Sequence, residues 1–211
     1  MGSITNTRLC SMPTLYRADH STNAERVALA LAHKGVQVES VVIEYSDRTP
    51  VLEASGQPLV PVLVEDDGTV IADSRRILRH LEATRPDPPL FPAEPSHRAG
   101  LDVFFEWFDE VWKVPPNAIA DDDPGADEVA RLSARMDAWQ DVFEGLLAGS
   151  DHLLGEFSAA DCLAYPFLRY GALTESPDDD PFHRVLVDHL TLDGRPRLAD
   201  WIERMGERPQ A

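Results

Sequence analysis

The stretch that decides the fold covers residues 59–78 and reads Leu59-Val60-Pro61-Val62-Leu63-Val64-Glu65-Asp66-Asp67-Gly68-Thr69-Val70-Ile71-Ala72-Asp73-Ser74-Arg75-Arg76-Ile77-Leu78. Two short apolar runs flank an Asp-Gly pair, which is typical of a tight hairpin turn. Asp73-Ser74 then opens a helix whose apolar residues recur on one face. The stretch therefore predicts a strand, a turn, a second strand and a helix.

The residues before this stretch change period quickly, as they do in α/β proteins. Residues 13–16 predict a short strand, residues 23–34 a helix that ends at Gly35, and residues 36–44 a second strand. Together with the hairpin and its helix, they predict an α/β domain over residues 13–84, preceded by a polar N-terminal tail over residues 1–12.

The residues after this stretch begin with a stiff segment. Residues 85–95 hold five of the 17 prolines, so they predict a linker that continues neither a helix nor a central strand. Amphipathic patterns then predict helices over residues 101–113, 129–147 and 198–205. Ser158 and Asp161 have the spacing of a capping box at a further helix start. Residues 96–211 are therefore expected to form an all-α domain.

Composition limits the classes of partner. The 211 residues carry 37 acidic and 19 basic side chains, for a formal charge of −18, so nucleic acids and anionic membranes are poor partners. The polar N-terminus predicts no signal peptide, and no apolar run approaches a membrane span. Cys10 and Cys162 lie far apart and outside any CxxC spacing, which indicates a cytoplasmic protein without a disulfide framework.

Candidate chemistry lies first at Ser21, between the first strand and the first helix. A hydroxyl at a helix N-terminus lies in the positive field of free backbone N–H groups, where it can stabilise a bound thiolate. A plain helix cap is the alternative role. His183 and His189 are six residues apart and do not share a helix face, so no metal site is expected there.

Two further features can bind a ligand that resembles a peptide. A cis bond at Val60-Pro61 would turn the Val60 N–H and C=O outward to pair with a ligand main chain, whereas an edge proline is the alternative. Ser74 at a helix start can hold a carboxylate, and Asp73 beside it can hold an ammonium group. An ordinary helix cap is again the alternative.

In this order, the features resemble the cytosolic glutathione transferase superfamily. The matching residues are Leu15-Tyr16, Ser21 and Arg26-Val27, then Val60-Pro61-Val62-Leu63, Ile71-Ala72-Asp73-Ser74, the capping box at Ser158, and 196–205 at the C-terminal end. The resemblance implies a thioredoxin-like N-terminal domain and an all-helical C-terminal domain, usually as a homodimer. It also implies glutathione as co-substrate, a small electrophile as second substrate, and no metal.

The resemblance assigns roles to individual residues. Val60 would bind the cysteinyl backbone of glutathione, with Pro61 cis, and Asp73 and Ser74 would hold its γ-glutamyl end. Ser21 aligns with the serine that activates the thiol in theta- and zeta-like classes, and Tyr16 is the second candidate hydroxyl. Ser21-Thr22-Asn23 keeps only the first residue of the zeta-class pattern, which does not support maleylacetoacetate isomerase activity.

Two positions leave alternatives open. Leu59 stands where the family commonly has Gln or Lys for the glycine carboxylate of glutathione, so Gln57, Lys34 or another cation would have to compensate. Arginines near the site, at positions 17, 26, 75 and 76, are further sources of positive charge. An aromatic stripe could line the electrophile pocket, although aromatic residues at helical spacing more often form core or a dimer interface. The stripe consists of Phe104, Trp107, Phe108 and Trp112.

The main hypothesis is a glutathione transferase that activates the thiol for attack on a hydrophobic electrophile. A non-catalytic binding or assembly module with the same fold is the alternative from another class, and Leu59 favours it. A third possibility is a glutathione-dependent isomerase, dehalogenase or ether-cleaving enzyme, because fold alone does not decide function.

Overall fold

The first part of the chain contains a four-stranded mixed sheet. The structure is a computed structural model, and it describes residues 12–122 and 124–211. The strands are β1 (Thr14–Arg17), β2 (Glu39–Val42), β3 (Val62–Val64) and β4 (Val70–Ala72). Their order in the sheet is β2-β1-β3-β4, where β1 and β2 are parallel and the other neighbours are antiparallel. Residues 1–11 of the predicted tail, with Cys10, lie outside the described residues.

Helices make up most of the rest of the chain. Those of the sheet region are α1 (Thr22–His33), α2 (Thr49–Ser55) and α3 (Ser74–Thr84). Those after it are α4 (Pro95–Trp107), α5 (Val114–Asp122), α6 (Ala126–Leu146), α7 (Ala159–Leu168), α8 (Pro181–His189) and α9 (Pro196–Gly206). A thioredoxin-like domain followed by helices is therefore the fold, as predicted.

The local signals of the first domain are confirmed. The hairpin turns at Gly68, whose φ of +87° is a conformation that glycine adopts without a steric penalty. Helix α1 ends at His33 with Lys34 as its C-cap, and Gly35 follows with a φ of +65°. Helix α2 was not predicted, and it carries Pro50 in its first turn and a left-handed Gly56 after its end.

The predicted helix over residues 101–113 changes its geometry halfway. Helix α4 ends at Trp107, and the chain continues as a π-helical turn through Phe108–Trp112 before α5 begins. Such turns occur mostly as single insertions in helices, and frequently at functional sites. Here the turn sets the directions of Asp109 and Lys113.

The proline-rich segment packs into the core. Leu90 and Phe91 are buried, and the Leu90 carbonyl accepts a hydrogen bond from the N–H of Ala159 at 2.8 Å. Pro95 is already the first residue of α4, a favoured place for proline. Whether the two domains divide at residues 85–95 stays a prediction.

The helical region is centred on the predicted capping box. Asp161 is fully buried and accepts hydrogen bonds from the N–H of Ser158 at 3.0 Å and from Trp201 Nε1 at 2.9 Å. This carboxylate therefore joins the start of α7 to α9. Within the described part of the chain, no helix is both long and apolar enough to cross a membrane.

Candidate functional site

The sheet brings the predicted ligand-binding residues to one end. Val62 pairs with Ala72 in β4 and with Tyr16 in β1. Because both pairings are antiparallel, the residues before Val62 lie beside those that follow Ala72 and those that follow β1. Val60, Asp73 and the loop that leads to Ser21 therefore share this end of the sheet.

Val60 offers its main chain. The Val60–Pro61 bond is cis, as the resemblance implied, and Pro61 is buried while Val60 is half-buried. Among the described residues, neither the N–H nor the C=O of Val60 has a hydrogen-bond partner. A peptide-like ligand can therefore pair with both groups.

Asp73 and Ser74 form the start of α3. Asp73 is its N-cap, and its Oδ1 accepts a hydrogen bond from the N–H of Arg76 at 3.0 Å. Its other oxygen has no hydrogen bond within the described chain, so it can accept one from an ammonium group. Asp73 has a φ of +80°, and the only other described non-glycine residue with positive φ is His20, next to Ser21. Such strained residues cluster at functional sites.

Ser21 caps α1. Its Oγ accepts a hydrogen bond from the N–H of Ala24 at 3.3 Å, as in the plain-cap alternative. Partial burial raises the pKa of Tyr45, the negative charge of Asp180 adds to the rise, and a hydrogen bond from the Ser21 hydroxyl opposes it. The sequence pattern did not identify the Tyr45 hydroxyl, because Tyr45 lies between β2 and the unpredicted α2.

A cleft of about 550 Å³ opens beside Ser21. Its walls are mostly polar and include Arg17, His20 and the ion pair between Glu25 and Arg169, whose atoms lie 3.0 Å apart. The other hydroxyl candidate, Tyr16, is half-buried and packs into a separate small apolar cluster of the sheet.

Three of the four residues of the aromatic stripe are buried in the core. Phe108 and Trp112 are fully buried and stack with ring centres 4.5 Å apart, and Phe104 is 6% exposed. The prediction of an electrophile pocket at these three residues is wrong, because they pack into the core against α6 and α7. Trp107 is half-buried and contacts Trp139, and its outer side borders an open apolar groove.

Lys34 and Gln57, the two groups that were expected to compensate for Leu59, already have partners. The Lys34 side chain is fully buried, and its Nζ lies 2.7 Å from Glu82, so it cannot meet a ligand. The Gln57 amide is held by the backbone of Leu59, because its Nε2 donates to Leu59 O at 2.8 Å and its Oε1 accepts from the N–H of Leu59 at 2.7 Å. Leu59 itself is 68% exposed. The sequence reasoning missed Arg48, whose Nη1 donates to the Pro58 carbonyl at 3.2 Å, one residue before Leu59.

A buried arginine joins this end of the sheet to the helical region. Arg26 is 1% exposed, and its guanidinium donates to Asp109 Oδ1 at 2.9 Å, to Leu163 O at 3.0 Å and to Ser74 Oγ at 3.4 Å. It also lies 4.6 Å from the centre of the Phe167 ring. Burial lowers the pKa of Arg26, and the charge of Asp109 opposes that shift.

Metal ligands are not gathered here. Within residues 12–122 and 124–211, no group of three His, Cys, Asp or Glu side chains is arranged to hold a metal ion. His183 bonds Asp178 at 2.8 Å and His189 contacts Ser133 at 3.1 Å, so the two histidines have separate partners.

A family model and several known proteins match parts of this chain in sequence. Residues 15–89 match the model of the glutathione S-transferase N-terminal domain. FtsZ-localized protein A of Caulobacter vibrioides is 34% identical over 102 residues, which is 46% of this chain and 44% of that protein. Maleylacetoacetate isomerase of Rattus norvegicus is 39% identical over 95 residues, or 41% of this chain and 43% of that enzyme. The matched stretches thus span less than half the length of these relatives.

The fold resemblance covers nearly the whole chain. The Tau class glutathione S-transferase from mango, Mangifera indica, superposes with a TM-score of 0.77 at 22% identity, over 94% of this chain and 90% of that one. Residues 15–89 therefore match the model of the glutathione S-transferase N-terminal domain, and the chain as a whole has the fold of a glutathione S-transferase.

Proposed function

We propose that this protein binds glutathione at the end of the sheet and activates its thiol for attack on a small electrophile. One observation carries the proposal: the unpaired main chain of Val60 lies at the same end of the sheet as Asp73 and Ser74. These groups match a γ-glutamyl-cysteinyl ligand. The Val60 main chain can pair with the main chain of the ligand, the Asp73 carboxylate can bind its ammonium group, and the helix N-terminus at Ser74 can bind its α-carboxylate.

Ser21 is the proposed activating residue. Its hydroxyl lies at the N-terminus of α1, where backbone N–H groups favour negative charge, and it can donate a hydrogen bond to a thiolate. The cleft beside it has charged walls, so we expect a polar electrophile rather than a hydrophobic one. The open groove beside Trp107 and Val103 supports the expected homodimer, because Val103 is 69% exposed there.

Two other functions have a specific observation in their favour. The exposed Leu59 and the relative named FtsZ-localized protein A favour a non-catalytic assembly module. The maleylacetoacetate isomerase relative favours glutathione-dependent isomerisation, although Thr22 and Asn23 depart from the zeta-class pattern. All three functions share the fold, and they differ in glutathione binding and in turnover.

A charge-removing variant tests the binding site. Asp73→Asn keeps an N-cap for α3 but loses the carboxylate, so glutathione should bind about tenfold more weakly by calorimetry. The matched control, Glu94→Gln, alters the acidic N-cap of α4 and should bind like the wild type. Wild-type protein that binds no glutathione would contradict the proposal, and binding without turnover of a chlorodinitrobenzene or of maleylacetoacetate would favour the assembly module.

A further inference from the structure

Lys113 follows the π-helical turn and has an incomplete ion pair. Its Nζ lies 4.0 Å from Asp109 Oδ1 and 5.1 Å from the centre of the Phe167 ring, and its side chain is 19% exposed. Asp109 already accepts a hydrogen bond from Arg26 at 2.9 Å and lies 3.7 Å from Arg75. Among the described residues, no other carboxylate lies within ion-pair distance of this ammonium group.

The surroundings of Lys113 disfavour its charge. Burial and then the positive charge of Arg26 lower its pKa to about 8, although the neighbouring carboxylates oppose the shift. A mostly buried ammonium group without a close partner is costly, and a bound anion would offset that cost. The charged groups that act on it are Arg26 on α1, Asp73 before α3, and Asp109 and Glu110 on the preceding turn. Arg75 of α3 lies 3.7 Å from the same Asp109.

We propose that Lys113 binds a carboxylate group of the ligand held at Asp73 and Ser74. The link runs through two side chains, because Arg26 contacts both Ser74 and Asp109, and Asp109 is the nearest carboxylate to Lys113. The negative charge of Asp73 also acts on Lys113, which places the two side chains near each other. The inference rests on the proposed function. The carboxylate can come from the glutamyl part of glutathione or from the electrophile, and in either case a charged group of the helical region joins the site.

The proposal predicts that ligand affinity depends on pH. A bound carboxylate stabilises the ammonium form, so ligand affinity should be highest below pH about 8 and should fall as the pH rises through that value. Lys113→Arg keeps a cation that stays charged throughout, so its affinity should fall less over the same range, and the remaining fall comes from the ammonium group of the ligand, which loses its charge there too. Lys113→Met keeps the contact with Phe167 and removes the charge.

The test uses calorimetry with S-benzylglutathione and S-(para-carboxybenzyl)glutathione on the full chain. Lys113→Met should weaken binding about tenfold, and Lys113→Arg should largely restore it. An equal loss for both conjugates assigns the glutamyl carboxylate, and a loss for the carboxybenzyl conjugate alone assigns the electrophile. Unchanged affinity for both conjugates in Lys113→Met would overturn the proposal, as would a wild-type affinity that is independent of pH.

A second measurement separates this inference from the proposed function. If the wild type binds neither conjugate, the glutathione function fails, and the thermal midpoint in millimolar glutarate then decides on Lys113. A rise in the wild type that is absent in Lys113→Met would support a carboxylate site without glutathione. Equal midpoints in the two proteins would overturn the site as well.

Discussion

The sequence predicted the sheet side of the candidate site better than its helical side. On the sheet side, Val60, Asp73 and Ser74 lie where neighbouring residues in the sequence put them, within one hairpin and the helix that follows it. On the helical side, three of the four aromatic residues that were predicted to line a pocket are buried, and Asp109 is instead linked to Ser74 through Arg26. Main-chain geometry is encoded locally, whereas the exposed face of a helix depends on everything that packs against it.

The largest expected effect is on the buried stripe. Phe108→Ala should lower the free energy of unfolding by about 4 kcal/mol, because it opens a cavity among Trp112, Phe143 and Phe167. Urea denaturation measures the loss. Under conditions where the variant is folded, its KM for the electrophile should match that of the wild type.

The neighbouring Trp107 provides the matched control for that variant. It is half-buried, so Trp107→Ala should cost only about 1–2 kcal/mol. If Phe108→Ala raised KM and left stability unchanged, the stripe would line a pocket after all.

A somewhat smaller loss is expected where the two sides meet. Arg26→Met leaves Asp109 without its closest partner and removes the hydrogen bond to Leu163 O, so it should lower the free energy of unfolding by about 3 kcal/mol. Arg76→Met, at an exposed side chain of α3, is the control and should change stability little.

A double variant checks the cause of that loss. Adding Asp109→Leu to Arg26→Met removes the other buried charge, so part of the lost stability should return. A double variant less stable than the sum of the two single losses would contradict the ion-pair account.

Local sequence signals were sufficient for several elements. The Asp-Gly turn predicted the hairpin, and Ser158 with Asp161 predicted the start of α7, because in each case the bonded atoms are only a few residues apart. Helix α2 could not be predicted from apolar periodicity, because it has only seven residues and Val51 alone among them is buried.

Contacts between distant residues could not be predicted in the same way. Lys34 was a candidate ligand for glutathione, but Glu82, 48 residues further along, holds its ammonium group inside the fold. The role of Asp109 likewise depends on Arg26, 83 residues earlier in the chain. Such pairs are set by how α1 packs against α3 and α7, which neither periodicity nor motif spacing specifies.

The smallest expected effect concerns Leu59, which stands where the family commonly has Gln or Lys. Leu59→Lys adds an exposed cation where the glycine carboxylate of glutathione is expected, and should strengthen binding by about 0.2–1 kcal/mol. Leu52→Lys adds the same charge at an exposed position of α2 and is the control. Calorimetry at low and high salt should show the gain shrink with ionic strength. A gain of the same size in both variants would indicate only a change in overall charge.

The most direct test of the proposed function measures the ionisation of bound glutathione. The ultraviolet absorbance of the thiolate, followed against pH, gives the pKa of the thiol in complexes with the wild type, Ser21→Ala and Ser21→Thr. We expect a lowered thiol pKa in the wild type and Ser21→Thr, and a rise of about one pH unit or more in Ser21→Ala, with similar glutathione affinity in all three. An unshifted thiol pKa in the wild type, or an unchanged one in Ser21→Ala, would contradict thiol activation by Ser21.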